Sequence, residues 1–306
     1  MKPTIAIHGG AGTILKENMT NELEKEYLNE LETIIDYGYE MLLRKIPSLE
    51  VVESVVMKLE DSILFNAGKG SVFTAKGNHE MDAAIMEGRN LQAGAVSMVN
   101  NIRNPIQLAK CVLENSEHVF LAGEGANDFA RLHNIPFEDD GYFFSEFRYA
   151  QWKEVSGTDN FKLDHDIEKK FGTVGAVAFD VFGDLAAATS TGGMTNKKFG
   201  RIGDSPLIGA GTYANNQTCA ISCTGSGEYF IRGVVAYDVA SMMEFKGVEL
   251  ENACNEVINV RLKSIGGDGG LIGVDHNGNI AMVFNTPGMY RASIDKDAVK
   301  KVLIYK

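Results

Sequence analysis

Long apolar runs are missing from this chain of 306 residues. None approaches the roughly 18 residues that a membrane-spanning helix requires, so no membrane partner is expected. Basic residues are in deficit: 29 Lys and Arg face 41 Asp and Glu, a formal net charge of −12 without a single extended basic run. That balance disfavours nucleic acid and anionic lipid, and leaves a small neutral or zwitterionic substrate compatible. Cysteine is sparse too. Cys111, Cys219, Cys223 and Cys254 lack CxxC spacing, so neither a zinc site nor a redox pair is indicated. Their apolar contexts suit buried thiols in a reducing cytoplasm. The opening segment carries one Lys before the short run Thr4-Ile5-Ala6-Ile7, too brief for the apolar core of a signal peptide, and a cytoplasmic protein is expected.

Several catalytic signatures are absent as well. Without GxSxG the nucleophile-elbow hydrolases are disfavoured. The six histidines show no HExxH or other paired ligand spacing, which removes the common metallohydrolases. Gly68-Lys69-Gly70-Ser71 looks like a fragment of a phosphate loop but lacks the upstream Gly and the Lys-[Ser/Thr] step, and reads as a tight turn.

What is present, 44% hydrophobic and 23% charged residues, is ordinary for a globular protein, and the length is within reach of one large domain over 1–306. Residues 4–7 read as a strand. Leu23, Tyr27, Leu28, Leu31, Ile34 and Ile35 recur at helical spacing within 21–45. Ser48 is a candidate N-cap for a second helix carrying Val51, Val52, Val55 and Leu59. Runs 80–87 and 92–99 flank Gly88-Arg89-Asn90 as a hairpin. Helices are expected over 105–114 and 124–133 with a short strand at 118–121 between them. Residues 138–171 follow neither period and read as a linker, organised only at 164–170. Beyond it, two Asp-x-x-Gly turns, Asp180-Val181-Phe182-Gly183-Asp184 and Asp275-His276-Asn277-Gly278-Asn279, each join two apolar runs and echo one another. They suggest paired central antiparallel strands. Segments 227–245 and 250–263 are helical in pattern, and 302–305 suits a last strand. This order predicts an α+β protein with stacked sheets between helix layers.

Four polar, Gly-rich segments stand out in the strand-rich half: Gly172-Thr173-Val174-Gly175, Thr189-Ser190-Thr191-Gly192-Gly193, Arg201-Ile202-Gly203-Asp204-Ser205-Pro206 and Thr224-Gly225-Ser226-Gly227-Glu228. Each falls at a strand end or the following turn, where side chains converge on one pocket. A threonine hydroxyl is a poor nucleophile until a base takes its proton, and the sequence sets no His or Lys beside Thr173. A free α-amine, with a pKa of about 7.7–8.0, serves as a base near neutrality, and only the first residue of a chain owns one. Thr173 as nucleophile therefore demands a break after Gly172, whose missing Cβ permits close backbone approach. Arg201 and Asp204, three apart, match the α-carboxylate and α-ammonium of an amino acid, the arginine fork binding a carboxylate bidentately.

Together with Ile7-His8-Gly9-Gly10-Ala11-Gly12 and Phe65-Asn66-Ala67-Gly68-Lys69-Gly70, these segments resemble, in order, the plant-type L-asparaginase/isoaspartyl peptidase family of threonine N-terminal-nucleophile hydrolases. The likeness spans nearly the whole chain outside the linker. It implies a four-layer αββα sandwich with two mainly antiparallel sheets, and self-cleavage at Gly172–Thr173 into an α subunit (1–172) and a β subunit (173–306). Activity on L-asparagine and β-aspartyl peptides through a covalent β-aspartyl-threonine is implied with it. The same resemblance gives Thr191 the part of steadying the nucleophile, and Thr224 and Gly225 that of an oxyanion site. It places Asn66 beside the nucleophile, and Arg201, Asp204, Gly227 and Thr224 on the substrate. It needs no cofactor for chemistry. A structural sodium ion on the backbone carbonyls of Leu59, Glu60, Ser62, Phe65, Ala67 and Lys69 is implied, as is a homodimer of αβ units. Bland alternatives stand beside these roles: Thr173 merely starting a strand, Thr191 satisfying a turn, Thr224 capping a helix, Arg201 and Asp204 pairing on the surface. Two other functions remain open, a glycosylasparaginase-type hydrolase and a non-catalytic amino-acid-binding relative.

Overall fold

Side-chain alternation along a single strand sets out the layers. In β5 (Thr173–Phe179), Val174, Ala176 and Ala178 join a core shared with helices, whereas Val177 and Phe179 join a second core shared with another sheet. Successive strand residues face opposite sides, so a strand covered on both faces is apolar throughout and has no polar alternation. The computed structural model describes residues 1–157 and 172–306. Upstream of β5 lie β1 (Thr4–Gly12), β2 (Met81–Glu87), β3 (Ala93–Val99) and β4 (Phe120–Ala122). After it come β6 (Leu185–Thr191), β7 (Thr212–Ala214), β8 (Cys219–Gly225), β9 (Gly269–Asp275), β10 (Ile280–Phe284), β11 (Gly288–Ile294) and β12 (Lys300–Tyr305). They form an eight-stranded sheet in the order β12-β11-β1-β5-β6-β2-β3-β4 and a four-stranded sheet in the order β10-β9-β8-β7. Every pairing between these strands is antiparallel except β3 with β4.

Helices cover both outer faces. α1 (Asn21–Leu43), α2 (Ser48–Asp61) and α3 (Pro105–Asn115) bury Leu31, Ile35, Val51, Val55, Leu59 and Leu108 on the large sheet. α4 (Gly123–Leu132) adds Ala126 and Ala130 to that core. Downstream, α7 (Gly227–Gly233), α8 (Val235–Lys246) and α9 (Leu250–Asn255) back the small sheet with Phe230, Val239, Leu250 and Cys254. The result is the expected mixed α and β architecture of helix layers around two stacked sheets.

Several local expectations are corrected. Ser48 is the first helical residue and Pro47 occupies the cap; the Ser48 N–H donates at 2.8 Å to the buried Asp180 carboxylate, which does the capping from the turn after β5. The two Asp-x-x-Gly hairpins do not pair with each other: β5–β6 lies in the large sheet and β9–β10 in the small one. The helix expected over 227–245 breaks at Val234 (φ 48°), because the first N–H groups of α8, those of Ala236 and Tyr237, turn to the carbonyls of Ala210 and Gly209. The second expected helix starts as α9 and continues as a π-helix over Glu256–Leu262. Much of the expected linker is folded: α5 (Asp140–Phe143) buries Phe143 in the large core, and α6 (Glu146–Val155) buries Arg148, whose Nε donates to the Gly70 carbonyl at 3.0 Å. Residues 164–170 lie outside the described residues.

Candidate active site

The alternation that builds the layers also aims the threonines. Thr173 shares its face of β5 with Val177, and Thr191 shares its face of β6 with Ala187, so both look into the space between the sheets. On β8, Ser222 reaches across to His8 and Thr189, which puts Thr224, two residues on, on the same inward face. Thr173 pairs directly with Thr191 in the ladder, where β5 begins and β6 ends. Their hydroxyls meet at 3.2 Å, Thr173 donating. Thr191 Oγ1 also accepts the Gly193 N–H at 3.0 Å, so it satisfies its own turn and holds the Thr173 hydroxyl at once.

Asn66 locks this turn from the upstream half of the chain. Its Nδ2 donates to the Gly193 carbonyl at 2.7 Å, its Oδ1 accepts from Val72 at 3.0 Å, and its own carbonyl accepts from Gly192 at 3.0 Å. Gly172 lies against it: a Cβ there would fall 2.6 Å from Asn66 Cβ, a distance no side chain tolerates. Behind Thr191, the buried Glu60 of α2 takes the Ser190 hydroxyl at 2.6 Å and the Ile106 N–H at 3.0 Å, and burial pushes its carboxyl up to about 8.

A histidine does stand near Thr173 in the fold, though none lies beside it in the sequence. His8 of β1 pairs in register with Gly175, two residues from Thr173. Its Nε2 is engaged with Ser222 Oγ at 2.9 Å, and burial lowers its pKa to about 3. So weak a base, already bonded, does not remove a threonine proton near neutrality. Gly175 is required here because a Cβ would collide with this His8–Ser222 pair.

Thr224 is fully buried, and its hydroxyl accepts the Ala11 N–H at 3.3 Å. A hydroxyl has one proton and two lone pairs, so the proton stays available to an acceptor in the pocket. Thr224 does not cap α7; Ser226 holds that position. Gly225, at φ 152°, packs so tightly against Gly269 that a Cβ would fall 2.6 Å from its Cα.

Arg201 and Asp204 sit in the loop after β6, and Gly227 at the start of α7 faces both. A Cβ on Gly227 would be 2.9 Å from Arg201 Nη2 and 2.9 Å from Asp204 Oδ1, closer than a side chain tolerates, so glycine is what lets the backbone approach both groups. Burial drives the Asp204 carboxyl up to about 7, with Arg201 pulling the other way. Among the described residues its Oδ2 is buried without a hydrogen-bond partner, a state that a bound ammonium relieves. The salt link of Arg201 is made with Glu228, at 2.8 and 2.9 Å. Glu228 escaped the sequence reading, because an acidic residue in the first turn of a helix is ordinary dipole complementation.

In the carbonyl-rich loop, Gly68 and Gly70 fold onto the backbone: a Cβ at Gly68 would be 2.5 Å from the Glu60 carbonyl, and one at Gly70 would be 2.9 Å from the Ile63 carbonyl. The Phe65 and Ala67 carbonyls accept from Ala67 and Gly70. Lys69 turns its ammonium over the Tyr142 ring at 5.4 Å. Tyr142–Trp152 runs from the end of α5 into α6, with Trp152 against Phe73. Among the described residues no cluster of His, Cys, Asp or Glu is arranged to hold a metal. A separate crevice of about 940 Å³, lined by Asp275, His276 and Arg291, contains none of the site residues.

Known proteins resemble the chain along nearly its whole length. A family model described as Asparaginase matches residues 1–304. The isoaspartyl peptidase of Salmonella typhimurium is 50% identical over 296 residues, covering 95% of this chain and 95% of that protein. That of Escherichia coli is 49% identical, covering 95% and 92%. A plant-type L-asparaginase of Pyrococcus horikoshii is 41% identical, covering 97% of each chain. Among the described residues no helix is long and apolar enough to cross a membrane. With the match running almost end to end, the chain belongs to the asparaginase family.

Proposed function

We propose that this protein is an isoaspartyl peptidase and L-asparaginase that cleaves its own Gly172–Thr173 bond and then uses Thr173 as nucleophile and base. The observation that carries the reading is the 3.2 Å meeting of the Thr173 and Thr191 hydroxyls at the mouth of the inter-sheet space. In the processed enzyme the α-amine of Thr173 takes the proton of its own hydroxyl as Oγ1 attacks the β-carbonyl of asparagine or of a β-aspartyl peptide. Charge gathering on the carbonyl oxygen is met by the Thr224 hydroxyl and the Gly225 N–H. The proton passes to the leaving ammonia or amine, and a β-aspartyl ester on Thr173 remains. Water, giving a proton to the same amine, attacks that ester and releases aspartate. Arg201 and Asp204, on either side of Gly227, hold the α-carboxylate and α-ammonium throughout.

The same reading makes 1–306 one domain that becomes an α subunit and a β subunit, working as a pair of such units on small-molecule substrates. The four buried free thiols suit a cytoplasmic location. A sodium ion would be held by carbonyls of Leu59, Glu60, Ser62, Phe65, Ala67 and Lys69; hard, uncharged oxygens on a Gly-lined turn suit a monovalent cation. It would brace the loop and take no part in the chemistry, and exchanging sodium for tetramethylammonium should lower the melting temperature. The decisive experiment is Thr173→Ala. It should remain one polypeptide and release no ammonia from asparagine and no leucine from β-aspartyl-leucine. Full activity in T173A ends the proposal, whereas turnover confined to glycosylated asparagine in the unaltered enzyme favours the glycosylasparaginase alternative.

A further inference from the structure

A guanidinium group offers two parallel pairs of N–H donors, the Nε/Nη2 edge and the Nη1/Nη2 edge. In Arg201 the first is already occupied: Nε and Nη2 donate to the two carboxylate oxygens of Glu228 at 2.8 and 2.9 Å. The backbones of Gly203 and Gly227 close in on the rest of the group, since a Cβ would be 3.0 Å from Nη1 at the first and 2.9 Å from Nη2 at the second. Arg201 is thereby fixed at one edge and hemmed by two glycines, with Nη2, which both edges share, and Asp204 Oδ1 both close against Gly227.

Resting on the function proposed above, we propose that Glu228 is a positioning residue for the substrate head. It sets the Nη1/Nη2 edge of Arg201 toward the α-carboxylate, while Asp204 remains for the α-ammonium. Holding the long arginine chain in its working rotamer removes an ordering cost that binding would otherwise carry. Glu228 itself touches no reacting atom. The opposite role, a carboxylate that competes with substrate for Arg201, predicts the opposite sign.

The test compares the processed enzyme with Glu228→Ala and Glu228→Gln. KM for asparagine should rise about tenfold in E228A, the scale of one lost charge-assisted contact, with kcat within about twofold because no interaction special to the transition state is removed. E228Q, which keeps the shape and one acceptor, should fall between. L-aspartate binding by calorimetry should weaken by the same factor, whereas β-alanine, which keeps the ammonium but has no α-carboxylate, should bind both forms alike. An unchanged or lowered KM, or an equal loss for aspartate and β-alanine, overturns the inference. Aspartate bound by an unaltered enzyme that releases no ammonia refutes the activity instead, and the calorimetric comparison still decides the part played by Glu228.

Discussion

In the proposed function Asp204 receives the substrate ammonium, and burial sets how its affinity depends on pH. Its carboxyl is pushed from an ordinary 3.8 up to about 7, chiefly by loss of water. Only the ionised form pairs with a substrate ammonium, so affinity should depend on pH in a defined direction. Below about 7 the ionised fraction falls tenfold per pH unit, and the inhibition constant of L-aspartate should climb by roughly that factor per unit toward pH 5. Above about 7 it should level off, and a flat profile between pH 5 and 7 would discard this account. The sign for folding is the reverse of that for a salt-bridged acid. Between 3.8 and about 7 the folded chain holds a proton that the unfolded chain has lost, so the contribution of Asp204 to stability declines as pH rises across that window. At this scale residue types were legible in the sequence, since hydroxyls, a fork and a carboxylate each announce their chemistry. Partners were not: His8 and Glu228 sit far from Thr173 and Arg201 in sequence, and strand register and a helix start bring them close.

Three hairpins of the downstream half are built from one five-residue turn. In the first, Asp180 Oδ1 accepts from Phe182 and Asp184 at 2.9 and 3.0 Å. Asp275 does the same for Asn277 and Asn279, and Asp295 for Asp297 and Val299, the latter at 2.9 and 3.0 Å. In each, the residue three beyond the Asp has positive φ: Gly183 at 92°, Gly278 at 72° and Ala298 at 60°. The first two are legible in the sequence because Gly marks the left-handed position; the third, joining β11 to β12, is hidden because alanine stands there. An L-residue in that region is strained, partly offset by the greater freedom that glycine gives the unfolded chain. Ala298→Gly should therefore stabilise the protein by about 0.5–1 kcal/mol, raising the melting temperature by roughly 1–3 °C. A fall in melting temperature would mean that unfolded-state entropy outweighs the relief. β8 and β11 escaped the sequence reading for another reason. Both are buried on both faces, and neither Cys219-Ala220-Ile221-Ser222-Cys223-Thr224 nor a strand interrupted by the buried Arg291 shows a period of two. α6 escaped because it docks through Arg148, Tyr149 and Trp152 onto the Gly70–Phe73 loop, without an apolar stripe on the main core.

Across the whole molecule, the large sheet alternates between the two halves of the chain. Reading β12-β11-β1-β5-β6-β2-β3-β4, a downstream pair is followed by upstream β1, then downstream β5 and β6, then upstream β2, β3 and β4. A cut after Gly172 thus leaves three ladders crossing between the pieces: β1 with β11, β1 with β5 and β2 with β6. Pulling the pieces apart strips β1 of both neighbours and exposes buried apolar strands such as Ile5 and Ile7 to water. Cleavage therefore removes one covalent bond and no noncovalent layer. For the proposed self-cleavage the order also suggests a timing: β1 pairs with both β11 and β5, so the bond should break only after the two ends of the chain have paired. Processing should be first order, with a half-time independent of protein concentration, and the fragments 1–172 and 173–306 should migrate together through a sizing column in native buffer. In 6 M guanidinium they should separate. If they part without denaturant, the alternation does not hold the molecule together, and another surface must supply the cohesion.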